Sequence, residues 1–295
     1  MPSPQYEKLV GILWDRRVEW GDHPVEPRRA AMDEVALPMA DDVTADPVDV
    51  DGLAAEWVIA AGAGTKRTVL YLHGGGYVMG SLATHRKLAG DISRAADARV
   101  LLLDYRLAPE HPYPAAVDDA VHAYRWLLAA GTTAGAIAIA GDSAGGGLTI
   151  STLLALRDAG LPQPGAAVAI SPWTDLTLEA ASIESVAARD PIVRAGDLKR
   201  YRDWYLDGTD PRHPGASPAH ADLTGLAPIL VHVGEAEVLL DDAAVLADHA
   251  RRDGVEVTLE AWPDMVHVWH VFAGRVPEAT AAVERIGEFV RERLG

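Results

Sequence analysis

Short apolar runs alternate with longer amphipathic stretches along most of the chain. Thr68-Val-Leu-Tyr-Leu72 is apolar after its threonine and predicts a strand buried on both faces. Val100 to Leu103, Ile137 to Ala140, Ala166 to Ile170 and Ile229 to Val233 read the same way. Between them, His85 to Ala96, Ala115 to Ala129, Ala144 to Ala159 and Asp241 to Asp253 predict helices. A strand at Val255 to Trp262 and a helix at Glu278 to Leu294 close the chain. Such alternation predicts an α/β domain: a mostly parallel sheet with helices on both faces.

Two segments break this rhythm. Near the start, Tyr6, Leu9, Val10, Leu13 and Trp14 recur at helical spacing. A second short helix is expected at Arg28 to Leu37, after Pro24 and Pro27. Val43 to Val50 and Ala54 to Ala60 then predict strands around Asp51-Gly52, which brings the sheet to eight. From Leu176 to Ala219 the chain is rich in charge, proline and aromatics, punctuated by Asp190-Pro191 and Asp210-Pro211. This reads as helices inserted between two strands. The expected organisation is N-terminal helices over 1–42, the main domain over 43–175 and 220–295, and an insertion over 176–219.

Composition narrows the function. The formal charge of -17 disfavours nucleic acid as a partner, because an acidic surface repels phosphate backbones. No apolar run approaches membrane-span length. The first residues lack a basic stretch followed by an apolar one, so a cytoplasmic location is expected. There is no cysteine, which excludes disulfides, thiolate metal sites and a cysteine nucleophile.

Gly141-Asp-Ser-Ala-Gly145 directly follows the apolar run ending at Ala140. G-x-S-x-G in that position predicts a sharp strand-to-helix turn with Ser143 projecting alone from the top of the sheet. A serine hydroxyl is a weak nucleophile and needs a base, a group that orients the base, and donors for an oxyanion. In a parallel sheet these partners belong in loops after strands. Of eleven histidines, His267 in Pro263-Asp-Met-Val-His267 meets that condition best, with His270 as the alternative base. The pair could also suggest a metal site, but no third ligand clusters with it, so neither metal nor cofactor is expected. After Ile229 to Val233, Glu237 lies in the loop proper. Asp241 and Asp242 fall at the start of the next helix, where carboxylates suit the helix dipole. Glu237 is therefore the expected acid, with Asp241 and then Glu235 behind it. His73-Gly-Gly-Gly76 follows Leu72, and its glycines can turn backbone N–H groups toward a developing negative oxygen. The N–H of Ala144 is expected to add another donor. No G-x-x-x-x-G-K-[ST] spacing supports a phosphate loop instead.

His73-Gly-Gly-Gly76, Gly141-Asp-Ser-Ala-Gly145 and the intervening Asp104-Tyr-Arg-Leu-Ala-Pro-Glu-His-Pro-Tyr-Pro-Ala-Ala116 together resemble the hormone-sensitive-lipase-like (HSL-like) family of α/β-hydrolase carboxylesterases. The resemblance covers most of the chain. It implies the α/β-hydrolase fold with a helical cap made from the N-terminal helices and the insertion, and an oxyanion hole of Gly75, Gly76 and Ala144. Many members carry aspartate in a D-P-L motif at the acid position. Glu237-Val-Leu-Leu here resembles a glutamate-bearing GDSAG subgroup. Asp142, Arg106, Glu110, His111 and Asp118 are read as structural contacts that fix loops.

The expected reaction is hydrolysis of short- to medium-chain carboxylic esters through an acyl-enzyme. Trp20, Tyr201, Trp204 and Tyr205 are expected to close the pocket from the cap, with Tyr77 and Trp173 bordering it from the sheet; cap core is the competing role for each. Amidase, peptidase or lipase activity uses the same machinery. A binding-only receptor is the alternative of a different class, and such relatives lack the catalytic histidine. The family often pairs through its last strand, so Val255 to Trp262 is a candidate homodimer edge.

Overall fold

The computed structural model describes residues 1–295. Helix α1 (Pro4–Asp15) is capped by Ser3, whose hydroxyl accepts from Tyr6 N–H. Helix α2 (Val25–Glu34) begins three residues before the expected Arg28. Pro27 does not block it, because in the first turn a missing N–H costs no intrahelical bond. Strands β1 (Val43–Val50) and β2 (Leu53–Ala60) form an antiparallel hairpin. Asp51 and Gly52 turn it with φ of 49° and 98°, the left-handed pair that a two-residue hairpin requires.

The chain then alternates as expected: β3 (Thr68–Leu72), α3 (Leu82–Ala96), β4 (Arg99–Leu103), α4 (Ala115–Ala129), β5 (Ile137–Asp142), α5 (Ala144–Asp158) and β6 (Ala166–Ile170). Between β6 and the next strand lie only helices α6 (Ser182–Ser185) and α7 (Ala195–Leu206) and a 3-10 turn. Strand β7 (Ile229–Gly234), helix α8 (Leu240–Arg252), strand β8 (Val257–Trp262) and helix α9 (Pro277–Arg293) complete the fold. Strand β8 starts two residues later than expected. Val255 N–H instead donates to Ala250 O, closing the end of α8.

The eight strands run β1-β2-β4-β3-β5-β6-β7-β8. Strand β2 is antiparallel to β1 and β4, and every other pair is parallel. This is the α/β-hydrolase fold, and all five residues of β3 are buried, as its unbroken apolar run demands. Successive side chains feed opposite faces. Leu70 and Leu72 join α4, α5, α7 and α8 in one core, while Val69 and Tyr71 join α1, α3 and α9 in the other. Helix α5 lies almost wholly inside, against β3. A Cβ on Gly145 would stand 2.0 Å from Leu72 O, so only glycine permits that approach. Parallel order places the loops after β3, β5, β6, β7 and β8 at one end of the sheet.

Candidate active site

Ser143 sits between β5 and α5 with φ 54° and ψ -121°, a backbone conformation that a side-chain-bearing residue rarely adopts. The turn holds because Ser143 N–H donates to Ile170 O (2.8 Å) and Ser143 O accepts from Trp173 N–H (2.9 Å) and Gly147 N–H (3.1 Å). These bonds fasten the serine to the loop after β6 and to the first turn of α5.

The loops after β7 and β8 are tied together. Glu235 N–H donates to Trp262 O and Ala236 N–H to Met265 O, each at 3.0 Å. That pairing brings Glu237 beside His267. His267 Nε2 lies 2.9 Å from Ser143 Oγ, and His267 Nδ1 faces Glu237 Oε2 at 3.5 Å. The second separation exceeds an ordinary hydrogen bond and Nδ1 makes no aligned one, so this pair is in electrostatic contact. Glu237 is fully buried. Its Oε2 accepts from Ser171 Oγ at 2.8 Å, and Ser171 Oγ in turn accepts from Val268 N–H at 3.2 Å. Val238 N–H donates to Asp190 Oδ2 at 3.0 Å, which pins the same loop. Burial pulls the His267 pKa down, but the Glu237 carboxylate outweighs it and leaves the imidazole above its ordinary value. Burial also pushes the Glu237 carboxyl up, against the opposing pull of His267 and Ser171.

The glycine loop after β3 lies alongside. Tyr71 Oη donates to Asp142 Oδ1 at 2.7 Å, and Gly74 N–H donates to the same oxygen at 3.1 Å. Asp142 therefore fastens the loop to the turn that bears Ser143. Gly75 and Gly76 adopt φ of 122° and 65°. Their own N–H groups donate to no protein acceptor. Ala144 is the first residue of α5, where helix geometry leaves an N–H without an intrahelical acceptor. The turn thus brings a hydroxyl, an imidazole, a buried carboxylate and a set of uncommitted N–H groups to one end of the sheet.

The family model described as alpha/beta hydrolase fold matches residues 69–271. An acetyl-hydrolase from Streptomyces hygroscopicus is 49% identical over 305 aligned positions, covering 100% of this chain and 99% of that protein. An esterase from Acinetobacter venetianus is 34% identical, over 88% of this chain and 87% of its own. The crystal structure of EstE5 soaked with p-nitrophenyl butyrate matches with a TM-score of 0.97 at 50% identity, covering 99% of both chains. That of an esterase from the bacterial hormone-sensitive lipase family gives 0.97 at 45%, covering 100% of both. The chain belongs to the hormone-sensitive-lipase-like branch of the α/β-hydrolases.

The remaining candidates in this α/β-hydrolase fall into distinct places. His270 is engaged elsewhere: its Nε2 lies 3.1 Å from His232 Nδ1, and both rings are buried. No group of three His, Cys, Asp or Glu residues stands close enough to hold a metal ion. Asp241 Oδ2 accepts from Ser182 N–H at 2.8 Å, and Asp242 Oδ2 accepts from Thr174 and Asp175 N–H at 2.8 and 2.9 Å. Asp241, the first alternative to Glu237, and its neighbour Asp242 are thus committed to backbone N–H groups, while Glu235, the second alternative, is partly exposed and its carboxylate makes no hydrogen bond or ion pair. Arg106 pairs with Asp119 and Glu110 with Arg29 of α2, as loop-fixing contacts. Tyr205 stacks on Tyr77 with centroids 3.8 Å apart, and Trp173 lies 6.0 Å from Tyr77, all three buried. Tyr201 is buried as well, whereas Trp20 and Trp204 are partly exposed and stand over the Arg28 guanidinium. Ser171 was not singled out in the sequence. Its signal is a polar residue immediately after the buried run Ala166 to Ile170, where an apolar strand gives way to the site loops. No helix is long and apolar enough to cross a membrane.

Proposed function

We propose that this carboxylic ester hydrolase works as a serine esterase on short- to medium-chain esters, through an acyl-enzyme. The observation that carries the reading is the 2.9 Å contact between His267 Nε2 and Ser143 Oγ, with Glu237 behind the imidazole. Ser143 Oγ attacks the ester carbonyl while His267 takes its proton. Glu237 keeps the proton on Nδ1 and stabilises the imidazolium. The N–H groups of Gly75, Gly76 and Ala144 receive the oxyanion. His267 returns the proton to the leaving alcohol, then removes one from the water that attacks the acyl-enzyme. The acid is released and Ser143 regenerated.

The N-terminal helices and the 176–219 segment act as a cap in this reading, with Tyr77, Trp173, Tyr201 and Tyr205 walling the acyl side. The Tyr77–Tyr205 stack, buried together with Trp173 and Tyr201, leaves little room to lengthen a pocket, which favours short acyl chains. Kinship to a protein named acetyl-hydrolase, and to EstE5, soaked with a butyrate ester, points the same way. The exposed edge β8 supports a homodimer formed through that strand.

Ser143→Ala tests the mechanism. Turnover of p-nitrophenyl butyrate is expected to vanish while the fold is kept; near-normal turnover would remove Ser143 from the reaction. A p-nitrophenyl ester series from acetate to palmitate tests the substrate range. The highest kcat/KM is expected among the short chains, and a maximum at palmitate would overturn that part.

A further inference from the structure

Helix α2 and helix α7 meet at one buried arginine. The Arg28 side chain is fully buried. Its Nη1 donates to Asp197 Oδ1 at 2.7 Å and to Tyr201 Oη at 3.0 Å, and its Nη2 to Gly21 O at 2.9 Å. The guanidinium also faces the rings of Tyr201, Trp20 and Trp204 at 5.3, 5.6 and 5.8 Å. A buried cation engaged on all sides cannot shift without leaving a charge unpaired.

Tyr201 in turn reaches the glycine loop. A Cβ on Gly76 would stand 2.5 Å from Tyr201 Cδ2, so the ring rests directly on the Gly76 backbone. Tyr205, four residues on and on the same face of α7, stacks on Tyr77 with the planes only 6° apart. Helix α7 thus presses on two successive loop residues, both at positive φ (65° and 64°). With no protein acceptor for the N–H of Gly76, packing from α7 rather than its own hydrogen bond sets where that donor points.

We propose that Arg28 is a positioning residue for the oxyanion donors. It locks α7 through Asp197 and Tyr201, and Tyr201 holds Gly76 where its N–H meets the developing oxyanion. This rests on the assignment of Gly76 N–H as an oxyanion donor made above. Loosening the lock removes stabilisation realised only in the transition state, so kcat falls while KM changes little.

The test uses Arg28→Met, Tyr201→Phe, Tyr201→Ala and the double variant Arg28→Met/Tyr201→Ala. Rates are expressed per active site, counted by titration with a p-nitrophenyl phosphonate, so that misfolded protein is not scored. Arg28→Met is expected to lower kcat about 10- to 100-fold with KM changed by less than about threefold. Tyr201→Phe keeps the ring on Gly76 and should cost less. Tyr201→Ala should cost at least as much as Arg28→Met, and the double variant no more than Tyr201→Ala. Affinity for a trifluoromethyl ketone, which forms a tetrahedral oxyanion on the serine, should fall in parallel with kcat. Unchanged kcat in Arg28→Met, a change confined to KM, or full additivity in the double variant would overturn the proposal. Where Arg28→Met yields no titratable sites, Arg28→Lys keeps the buried charge and should show a smaller loss of the same kind; unchanged kcat there overturns the proposal equally. Ser143→Ala runs beside them: its retained activity would sink the catalytic assignment, whereas an inert Ser143→Ala with a fully active Arg28→Met sinks only the coupling.

Discussion

Glu237→Gln separates the assigned acid from its neighbours, because the substitution keeps shape and removes charge. Two orientations are open to the new amide. With its carbonyl at the present Oε2, it still accepts from Ser171 Oγ and still faces His267 Nδ1, as the carboxylate does at 2.8 and 3.5 Å. Its NH₂ then occupies the Oε1 position, which is buried and has no partner, at a cost of about 1–3 kcal/mol. Turned over, the NH₂ points at Nδ1 and forces the proton onto Nε2, the wrong tautomer for taking a proton from Ser143. Either way the imidazolium loses its counter-charge. The expected loss in kcat/KM is about 10³- to 10⁴-fold, or about 4–5 kcal/mol of transition-state stabilisation. Folding should not suffer to match. Burial raises the Glu237 pKa, so above its unfolded value the ionised carboxylate weakens the folded state, and a neutral amide removes that penalty. The assay is p-nitrophenyl butyrate hydrolysis with a thermal melt on the same sample, and Asp241→Asn as the control. Activity within about tenfold of the parent at unchanged Tm would refute the role given to Glu237.

Three further outcomes are expected. His267 must be neutral to act as base and its pKa is raised, so kcat/KM should climb with pH through a midpoint above about 6.5; a midpoint below that value contradicts the electrostatics described. Asp242 has its pKa raised from 3.8 to about 7 by burial, so its folding penalty grows as pH rises through that window and is complete above it. Asp242→Asn can keep the bonds from Thr174 and Asp175, and its Tm relative to the parent should be better at about pH 8 than at about pH 5, checked by melts at both values; no pH dependence in that difference would count against the penalty. Gly145→Ala places a Cβ 2.0 Å from Leu72 O and should destabilise by about 3 kcal/mol or more, whereas Gly196→Ala in α7 meets nothing within 4 Å and should gain about 0.5–1 kcal/mol; urea denaturation separates the two.

The parallel part of the sheet was legible because a strand buried on both faces leaves an unbroken apolar run, as at Thr68 to Leu72 and Ala166 to Ile170. The residues brought together at Ser143 were legible because parallel order sends the loops after strands to one end. That rule selected His267 over His249, which lies inside α8, and over His232, which lies inside β7. Less was readable where one residue's role depends on another far along the chain. Ser171 draws its role from Glu237, 66 positions away, and Arg28 meets Tyr201 across 173. Neither spacing leaves a periodic signal. Helix α2 starts at Val25 rather than at the expected Arg28, because the first turn of a helix tolerates the proline at 27. His270 resembled a base by position in the chain, but pairing with His232 takes it into the core.

The most direct measurement is covalent labelling with diethyl p-nitrophenyl phosphate, followed by intact-mass analysis and peptide mapping. The account predicts a single diethylphosphoryl group on the Ser143 hydroxyl, release of one equivalent of p-nitrophenol, and loss of esterase activity in proportion to labelling. A label carried by a different residue, or full labelling of Ser143 with activity intact, would contradict it.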